Sequence, residues 1–403
     1  MVTELLPFEQ LLPLLLRHAG QPAIEAVDLA QAHGRILAAS ACARWSMPRF
    51  DASAMDGYAV RGADCVVGGA QLRLQRTADA YAGSSGAALS PGCCMAIGTG
   101  GRIPPGADCV IPKEDCRLTD SGITVVSGTH LGQHIRRAGE EFASGTELGT
   151  AGLVVDGYTL ALLRSAGVSQ VQVFRSVQVA VVTTGNEVAA DPGCMSETQI
   201  LDTNGPMLEQ LLRDDGGVSA RHWGPVPDDP ARLAQVLGEA MEVSDLVLIA
   251  GGVSVGDRDY VKAVLEQTLG CERLVWGVAV KPGKPLYVGQ RGHRLVVGMP
   301  GNPGSVAAQW ATVVRALLHH MQGRRSTEWC PLPVAIDPQV KRERGKTRLV
   351  WVQLQRGHGG ELLAHPLPYA ASHMLRGIAG AAGIVAVPPA ETPMPARLPL
   401  WLR

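Results

Sequence analysis

The sequence predicts a multidomain protein of mixed α/β and β class: a central α/β domain, an inserted β-rich domain and a small all-β C-terminal domain. Three observations carry this. First, between Val177 and Ser305 an apolar run three times ends in a glycine-rich loop: VQVAVV into TTGNE, DLVLIA into GGVSVGDRD, and RLVVGM into PGNPGS. Short, bounded apolar runs of this kind read as buried strands of a parallel sheet. Second, from Tyr58 to about Gly128 the pattern changes to short β-like runs punctuated by glycine and proline. Third, RLVWVQLQ, ELLAHPL, GIVAVPP and RLPLWL follow one another closely near the C-terminus, as in a small all-β unit.

The remaining elements fall into place around these. Phe8–His18 and Val27–Ala43 have helical apolar spacing, with Pro13 as a kink in the first. Together with residues 140–175 they predict a helical linker domain, interrupted by the β-rich insertion at 46–139. The α/β domain is placed at 176–325, with helices at Pro206–Leu212, Pro230–Ala240, Asp259–Leu269 and Ser305–Met321. Thr327–Pro338 is proline-rich and reads as a linker into the C-terminal domain, 326–403.

Composition narrows the function. A formal net charge of -1 argues against a dedicated nucleic-acid binder. No run of about 18 apolar residues is present, so no membrane partner is expected, and MVTELLPFEQ lacks the features of a signal peptide. With nine cysteines and no C-x-x-C, neither a disulfide framework nor a zinc ribbon is expected. The cysteines read as reduced, structural residues of a cytoplasmic protein.

In a parallel sheet, ligands bind beyond the carboxyl ends of the strands, where the glycine-rich loops lie. Those loops bring acids (Glu187, Asp257, Asp259) and bare backbone. GGVSVGDRD is not a phosphate-binding P-loop, because Asp257-Arg258 stands where Lys-Ser/Thr is required. It reads either as a strand-to-helix turn capped by Asp257 and Asp259 or as a ligand loop. In KPGKP, Lys281 and Lys284 read either as solvated turn residues or as point charges for an oxyanion. PGNPGS opens a helix whose first amides suit an anion. Acids, lysines and bare backbone together suit a phosphorylated ligand with a divalent cation.

Eight segments in order resemble the molybdopterin molybdotransferases, bacterial MoeA and the C-terminal domain of gephyrin. They are PRFDASAMDGYAV, IGTGGRIPPGADCVIP, IRRAGEEF, VVTTGNEV, ILDTNGPML, GGVSVGDRDY, VKPGKP and VVGMPGNPGS. The resemblance covers nearly the whole chain. It implies a three-layer, molybdopterin-binding-like α/β domain, a barrel-like C-terminal domain and a homodimer. It implies molybdate insertion into adenylylated molybdopterin with release of AMP, molybdate being a substrate and a divalent cation such as Mg2+ the cofactor. It implies further contacts with the molybdopterin adenylyltransferase and with recipient molybdoenzymes. Residue by residue, it makes Asp56, Thr99, Glu187 and Asp259 catalytic. Glu187, Asp259 and Asp257 would hold the metal. Asp228, Gly251, Gly252, Ser254, Lys281, Lys284, Pro300 and Pro303 would bind substrate. Asp56 and Thr99 would reach the cleft of the partner protomer.

The chain departs from the pattern at Gly277 and Ala382, where relatives often carry a basic residue and asparagine, and at Glu141, usually Asp. Gly277 removes one cation and is expected to weaken the anion site. Two other readings share the fold: a non-catalytic scaffold or divergent paralogue, and a molybdopterin adenylyltransferase. The acids Asp56, Glu187 and Asp259 oppose the first, and the added N- and C-terminal regions oppose the second.

Overall fold

The computed structural model describes residues 5–20, 22–65, 68–74, 88–253, 260–325, 331–337, 339–357 and 359–403. Its central sheet has the order Val218–His222, Val177–Thr183, Leu246–Ala250, Arg294–Met299, Tyr287–Arg291, Glu272–Trp276. The first four strands are parallel; the last two are antiparallel to their neighbours. The three apolar runs are therefore adjacent in space as well as similar in sequence. Their side chains alternate between two cores. Val177, Val179, Val181, Leu246, Leu248, Leu295 and Val297 face one, with Leu208 and Leu212 of helix Asn204–Asp215 and Val306 and Leu317 of the helical stretch Pro303–Met321. Ala180, Val182, Val247, Ile249 and Val296 face the other, with Leu233 and Leu237 of helix Pro230–Val243 and Val261 and Leu265. Both sheet faces are covered by helices, which is why these strands read as continuous apolar runs rather than alternating ones.

The C-terminal domain is a closed five-stranded sheet. Thr347–Arg356 pairs with Leu362–Pro366, which pairs with Leu332–Ile336, then Leu398–Leu402, then Gly383–Val387, which returns to Thr347–Arg356. Leu332–Ile336 lies inside the stretch read as a linker; its one proline, Pro333, stands opposite Pro399 and before the pairing with Leu362–Pro366 begins at Ala335, so no ladder bond needs its missing N–H.

The apolar run LVWGVAV, which leads into Lys281, is divided between two strands. Glu272–Trp276 ends in the central sheet. Gly277 turns at φ +86, and Val278–Lys281 then pairs parallel with Thr347–Arg348 of the barrel. On its other side Leu6–Pro7 pairs with Val278–Ala279. Helix Phe8–His18 follows and buries Leu11 and Leu15 in the α/β core. Residues 6–18 thus pack at the seam between the α/β domain and the barrel rather than in the linker domain.

The linker domain is also not helical at Val27–Ala43. Ile24–Asp28 is a strand paired with Gln170–Phe174, and Ala41–Cys42 pairs with Glu147–Gly149. Val27 and Val173 pack across this ribbon with Leu37 and Val155. Tertiary pairing overrides the helical spacing here, because β-branched residues fit a pleated, half-buried surface. Helix Gly157–Ser165, N-capped by Asp156 through Thr159 N, is the helical part. A third pair, Ala52–Ser53 with Ile135–Arg136, leads to the inserted domain. Asp51 locks this neck: its carboxylate accepts from Arg137 Nη1 at 2.7 Å and from Ala138 N at 2.8 Å.

The inserted domain is one six-stranded sheet, in the order Cys109–Pro112, Gly57–Val60, Cys93–Ile97, Gln71–Leu74, Gly122–Val125, Cys116–Thr119. Gly57–Val60 is thus an interior strand, paired on both sides. Cys65, Cys94 and Cys109 are buried with Tyr58, Leu72 and Ile123, and Cys116 packs against them. Burial pushes the thiols of Cys65 and Cys94 up to about 12, so they act as small apolar groups. All described cysteines are free, and no cluster of metal-ligating side chains occurs among the described residues.

Gly277 has a structural explanation that its sequence position does not supply. It does not line the cleft described below, and a Cβ there would lie 2.8 Å from Leu5 Cδ2. The left-handed backbone and this contact both oppose a side chain. Gly277→Lys is therefore expected to lower stability by about 1–3 kcal/mol rather than to restore an anion contact. A thermal melt of the variant with no loss of melting temperature would contradict this account.

Candidate active site

At the carboxyl ends of the parallel strands the α/β domain and the barrel enclose a cleft of about 1290 Å³. Its floor is Thr183, Thr184 and Ala250, at the ends of the strands Val177–Thr183 and Leu246–Ala250. One wall carries Glu187 and Asp202. The other carries Lys281 and Lys284, joined by Lys341, Lys346 and Arg348 from the barrel. Pro300, Asn302 and Pro303 line the rim, facing Ser372 and His373.

Each loop is held by identifiable contacts. The TTGNE loop is braced by Asp228, whose carboxylate accepts from Thr184 Oγ1 at 3.1 Å and from Asn186 N at 3.3 Å. Asp228 N in turn donates to Asn186 Oδ1. Asp228 is not among the residues lining the cleft; its described contacts position the loop that bears Glu187. The Glu187 carboxylate folds over Gly185, where a Cβ would lie 2.8 Å from its Oε1. Gly185 is needed for that rotamer. Gly251 and Gly252 both have positive φ, and a Cβ on Gly251 would lie 2.4 Å from Thr184 O. These glycines let two strand-end loops touch backbone to backbone.

The KPGKP loop is fixed from below. Gln309, buried in the helical stretch after PGNPGS, donates from Nε2 to Gly283 O at 2.8 Å and to Pro285 O at 3.4 Å. Lys281 Nζ donates to Glu343 Oε1 at 3.0 Å. The Lys281 hydrogen bond and the charges of Lys281, Lys341 and Arg348 hold the Glu343 carboxyl below the usual range.

The start of helix Pro303–Gln309 does not offer the free amides expected of it. Gly304 N donates to Ser372 O at 2.7 Å, and Ser305 N and Val306 N donate to Asn302 O. A barrel carbonyl caps the helix, so positive charge in the cleft comes mainly from the lysines and Arg348.

Asp202 was not singled out in the sequence, although it sits in ILDTN just before a helix. Its side chain is 4% exposed. It accepts from Thr183 Oγ1 at 2.6 Å and Gly205 N at 2.9 Å, and pairs with His222 Nε2 at 3.2 Å. Burial raises its carboxyl, but the His222, Thr183 and Gly205 hydrogen bonds outweigh that and hold it below 3.8. It ties the end of one strand to the start of helix Asn204–Asp215. The signal available in sequence was an Asp preceding a helix, which is indistinguishable from an ordinary cap.

Asp56 and Thr99 lie together in the inserted domain. Asp56 Oδ1 accepts from Thr99 N at 2.7 Å and Thr99 Oγ1 at 2.9 Å, which holds its carboxyl low. Neither lines the cleft of its own chain. Ser254, Asp257 and Asp259 lie outside the described residues.

This arrangement, an α/β domain whose strand-end cleft is closed by a barrel and which carries an inserted β domain on a ribbon stalk, is matched by proteins of molybdopterin biosynthesis. Family models match at residues 6–167 (MoeA N-terminal region, domains I and II), 180–320 (probable molybdopterin binding domain) and 335–396 (MoeA C-terminal region, domain IV). The chain belongs to the MoeA family. It is 34% identical over 303 residues to the molybdopterin molybdenumtransferase of Haemophilus influenzae, covering 75% of this chain and 74% of that one. It is 32% identical over 370 residues to that of Synechococcus elongatus, covering 87% and 91%. The solved molybdopterin biosynthesis moeA protein from Pyrococcus horikosii aligns over 99% of both chains with a TM-score of 0.78 and 27% identity.

The Asp202 network makes a stability prediction. Asp202→Asn leaves donors without a charged acceptor and is expected to cost about 1–3 kcal/mol at neutral pH. Because the folded-state carboxyl is held below 3.8, its contribution is present above that value and lost as pH falls through the lower folded one. The melting-temperature gap between native and variant should therefore close below about pH 4. A gap that is constant from pH 7 to pH 3 would refute this.

Proposed function

We propose that the protein is a molybdopterin molybdenumtransferase, inserting molybdate into adenylylated molybdopterin with release of AMP. The observation that carries this reading is the division of one cleft into a carboxylate wall and a cationic wall. Molybdate and the substrate's phosphates are anions, and Lys284 and the barrel cations supply compact charge for them. Pro300 and Pro303 stiffen the rim, so the site is ordered before the anion arrives.

The carboxylate wall suits a hard divalent cation such as Mg2+. The Glu187 carboxylate makes no hydrogen bond or ion pair with the described residues, which leaves its oxygens available. Mg2+ needs only one or two carboxylates when substrate phosphates complete its shell. Glu187, with Asp257 and Asp259 of the GGVSVGDRDY loop, would hold it. The cation would neutralise charge on the phosphoanhydride as it is cleaved. The chain's own residues bind and orient: Asp228 sets the Glu187 loop, and Gln309 sets the lysine loop.

We further infer a homodimer in which Asp56 and Thr99 complete the partner's cleft. Their place on an exposed surface of the stalked domain, away from their own cleft, supports this. An isologous two-fold arrangement would form two such composite sites. We also infer a cytoplasmic enzyme working beside the molybdopterin adenylyltransferase and recipient molybdoenzymes, a reading that rests on the family; no helix among the described residues is long and apolar enough to cross a membrane.

Two measurements test the reading. AMP release from adenylylated molybdopterin should require molybdate, and Glu187→Gln should lower its rate by about a hundredfold or more. Lys284→Ala should raise the molybdate concentration for half-maximal release by about tenfold to a hundredfold. Molybdate-independent release, or full activity in Glu187→Gln, would exclude the proposed roles. For the dimer, Asp56→Ala and Glu187→Ala should each be inactive alone. Co-expressed, they should regain about a quarter of native activity, because each mixed dimer has one intact composite site. No recovery in demonstrably mixed dimers would place Asp56 in its own chain's site.

A further inference from the structure

Glu343 is an acid on the cationic wall. It lines the cleft together with Lys281, Lys284, Lys341, Lys346 and Arg348. Its carboxylate takes Lys281 at 3.0 Å, although both side chains reach solvent, at 56% exposure for Lys281 and 20% for Glu343. An exposed ion pair of this kind usually contributes little to stability. Its location gives it another consequence: it sets a carboxylate where an oxyanion would meet the same lysine.

Backbone geometry makes the placement deliberate. Lys281 ends the strand that crosses from the α/β domain to the barrel, paired with Arg348. Glu343 sits in the turn just before the strand Thr347–Arg356, bridged to Lys346. Its carbonyl accepts from Ala390 N at 2.9 Å, and the turn is held by Gly345 N donating to Glu391 Oε2 at 3.0 Å. Both ends of the ion pair are thus carried on fixed main chain, and only side-chain rotation is needed to part them. A carboxylate and a tetrahedral oxyanion are alternative acceptors for the same ammonium group.

We propose that Glu343 is a built-in counter-anion of the cleft: it occupies Lys281 in the ligand-free protein, yields that lysine to an incoming oxyanion, and so sets the affinity and charge selectivity of oxyanion uptake. This rests on the reading of the cleft as an oxyanion site. Glu343 is a specificity-determining residue in this scheme, acting through Lys281. A fixed negative charge beside the site penalises a dianion more than a monoanion of the same shape.

The test uses the full-length protein and calorimetric titration with molybdate, a tetrahedral dianion, and perrhenate, a tetrahedral monoanion. Glu343→Gln keeps an acceptor for Lys281 but removes the charge. It should bind molybdate up to about fivefold more tightly than the native protein, with a smaller gain for perrhenate. The gain should shrink with added salt, as screening weakens the lost repulsion. In a Lys281→Ala background the same substitution should give a clearly smaller gain. Glu343→Asp, which keeps the charge on a shorter arm, should bind molybdate no more tightly than Glu343→Gln, and thermal melts check that each variant is folded. Unchanged or weaker molybdate binding by folded Glu343→Gln would overturn the proposal, as would an undiminished gain without Lys281. If the native protein binds no molybdate at all, the oxyanion reading of the cleft falls with it. If the native protein binds molybdate and Glu343→Gln binds it no more tightly, only the role of Glu343 falls.

Discussion

The architecture of the cleft depends on one backbone constraint: the chain must leave the central sheet at Trp276 and enter the barrel at Val278. Gly277 makes this possible by adopting a left-handed conformation that an L side chain would strain. The basic turn that faces the cleft from the barrel is placed by that crossing. Val280 and Lys281 stand in parallel register opposite Thr347 and Arg348, so the KPGKP loop and the basic turn before Thr347 are neighbours by strand pairing rather than by side-chain attraction. The N-terminal residues Leu6–Pro7 cover the free edge of the crossing strand, and the helix behind them seals the shared core.

Sheet chemistry, not side-chain charge, thus brings the two walls together, and the charges are arranged on walls already fixed. Five cationic side chains converge from two domains, which would repel one another in a narrow cleft. Glu343 offsets part of that repulsion, and Glu187 and Asp202 also line the cleft. Cleft and core are also coupled through Gln309, a polar residue buried in the helical stretch that follows PGNPGS. Its amide holds the lysine loop by two carbonyls.

How much of this was legible in the sequence varies with the interaction that decides each element. The three buried strands were legible because both sheet faces are covered, so the runs are almost wholly apolar rather than alternating. Four of the five barrel strands were legible because short apolar runs follow one another closely near the C-terminus; Leu332–Ile336 was not, because it lies in a proline-rich stretch. The helical reading of Val27–Ala43 failed because its apolar spacing fits two periods, and pairing with Gln170–Phe174, more than a hundred residues away, decides between them. Lys281, Lys284, Pro300 and Pro303 were legible because they sit in motifs beside strand ends. Lys341, Lys346 and Arg348 were not, although KRERGKTR is a visible charge run, because a basic turn looks the same whether it faces solvent or a cleft. Asp202 was hidden for the converse reason: its partners, Thr183 and His222, come from two strands that only the fold aligns. Gly277 was read as a lost cation when its backbone angle gives it a different necessity.

The stalk of the inserted domain consists of three nested antiparallel pairs, in which the outgoing chain at residues 24–28, 41–42 and 52–53 meets the returning chain at 170–174, 147–149 and 135–136. Such a ladder closes on itself like the teeth of a zipper. The entry and exit of the domain emerge side by side, so to the rest of the chain the domain is topologically a single long hairpin. A hairpin can be lengthened, shortened or exchanged at its tip without rethreading any other strand. The reach of Asp56 from the body is therefore a quantity that evolution can tune one rung at a time, independently of the cleft.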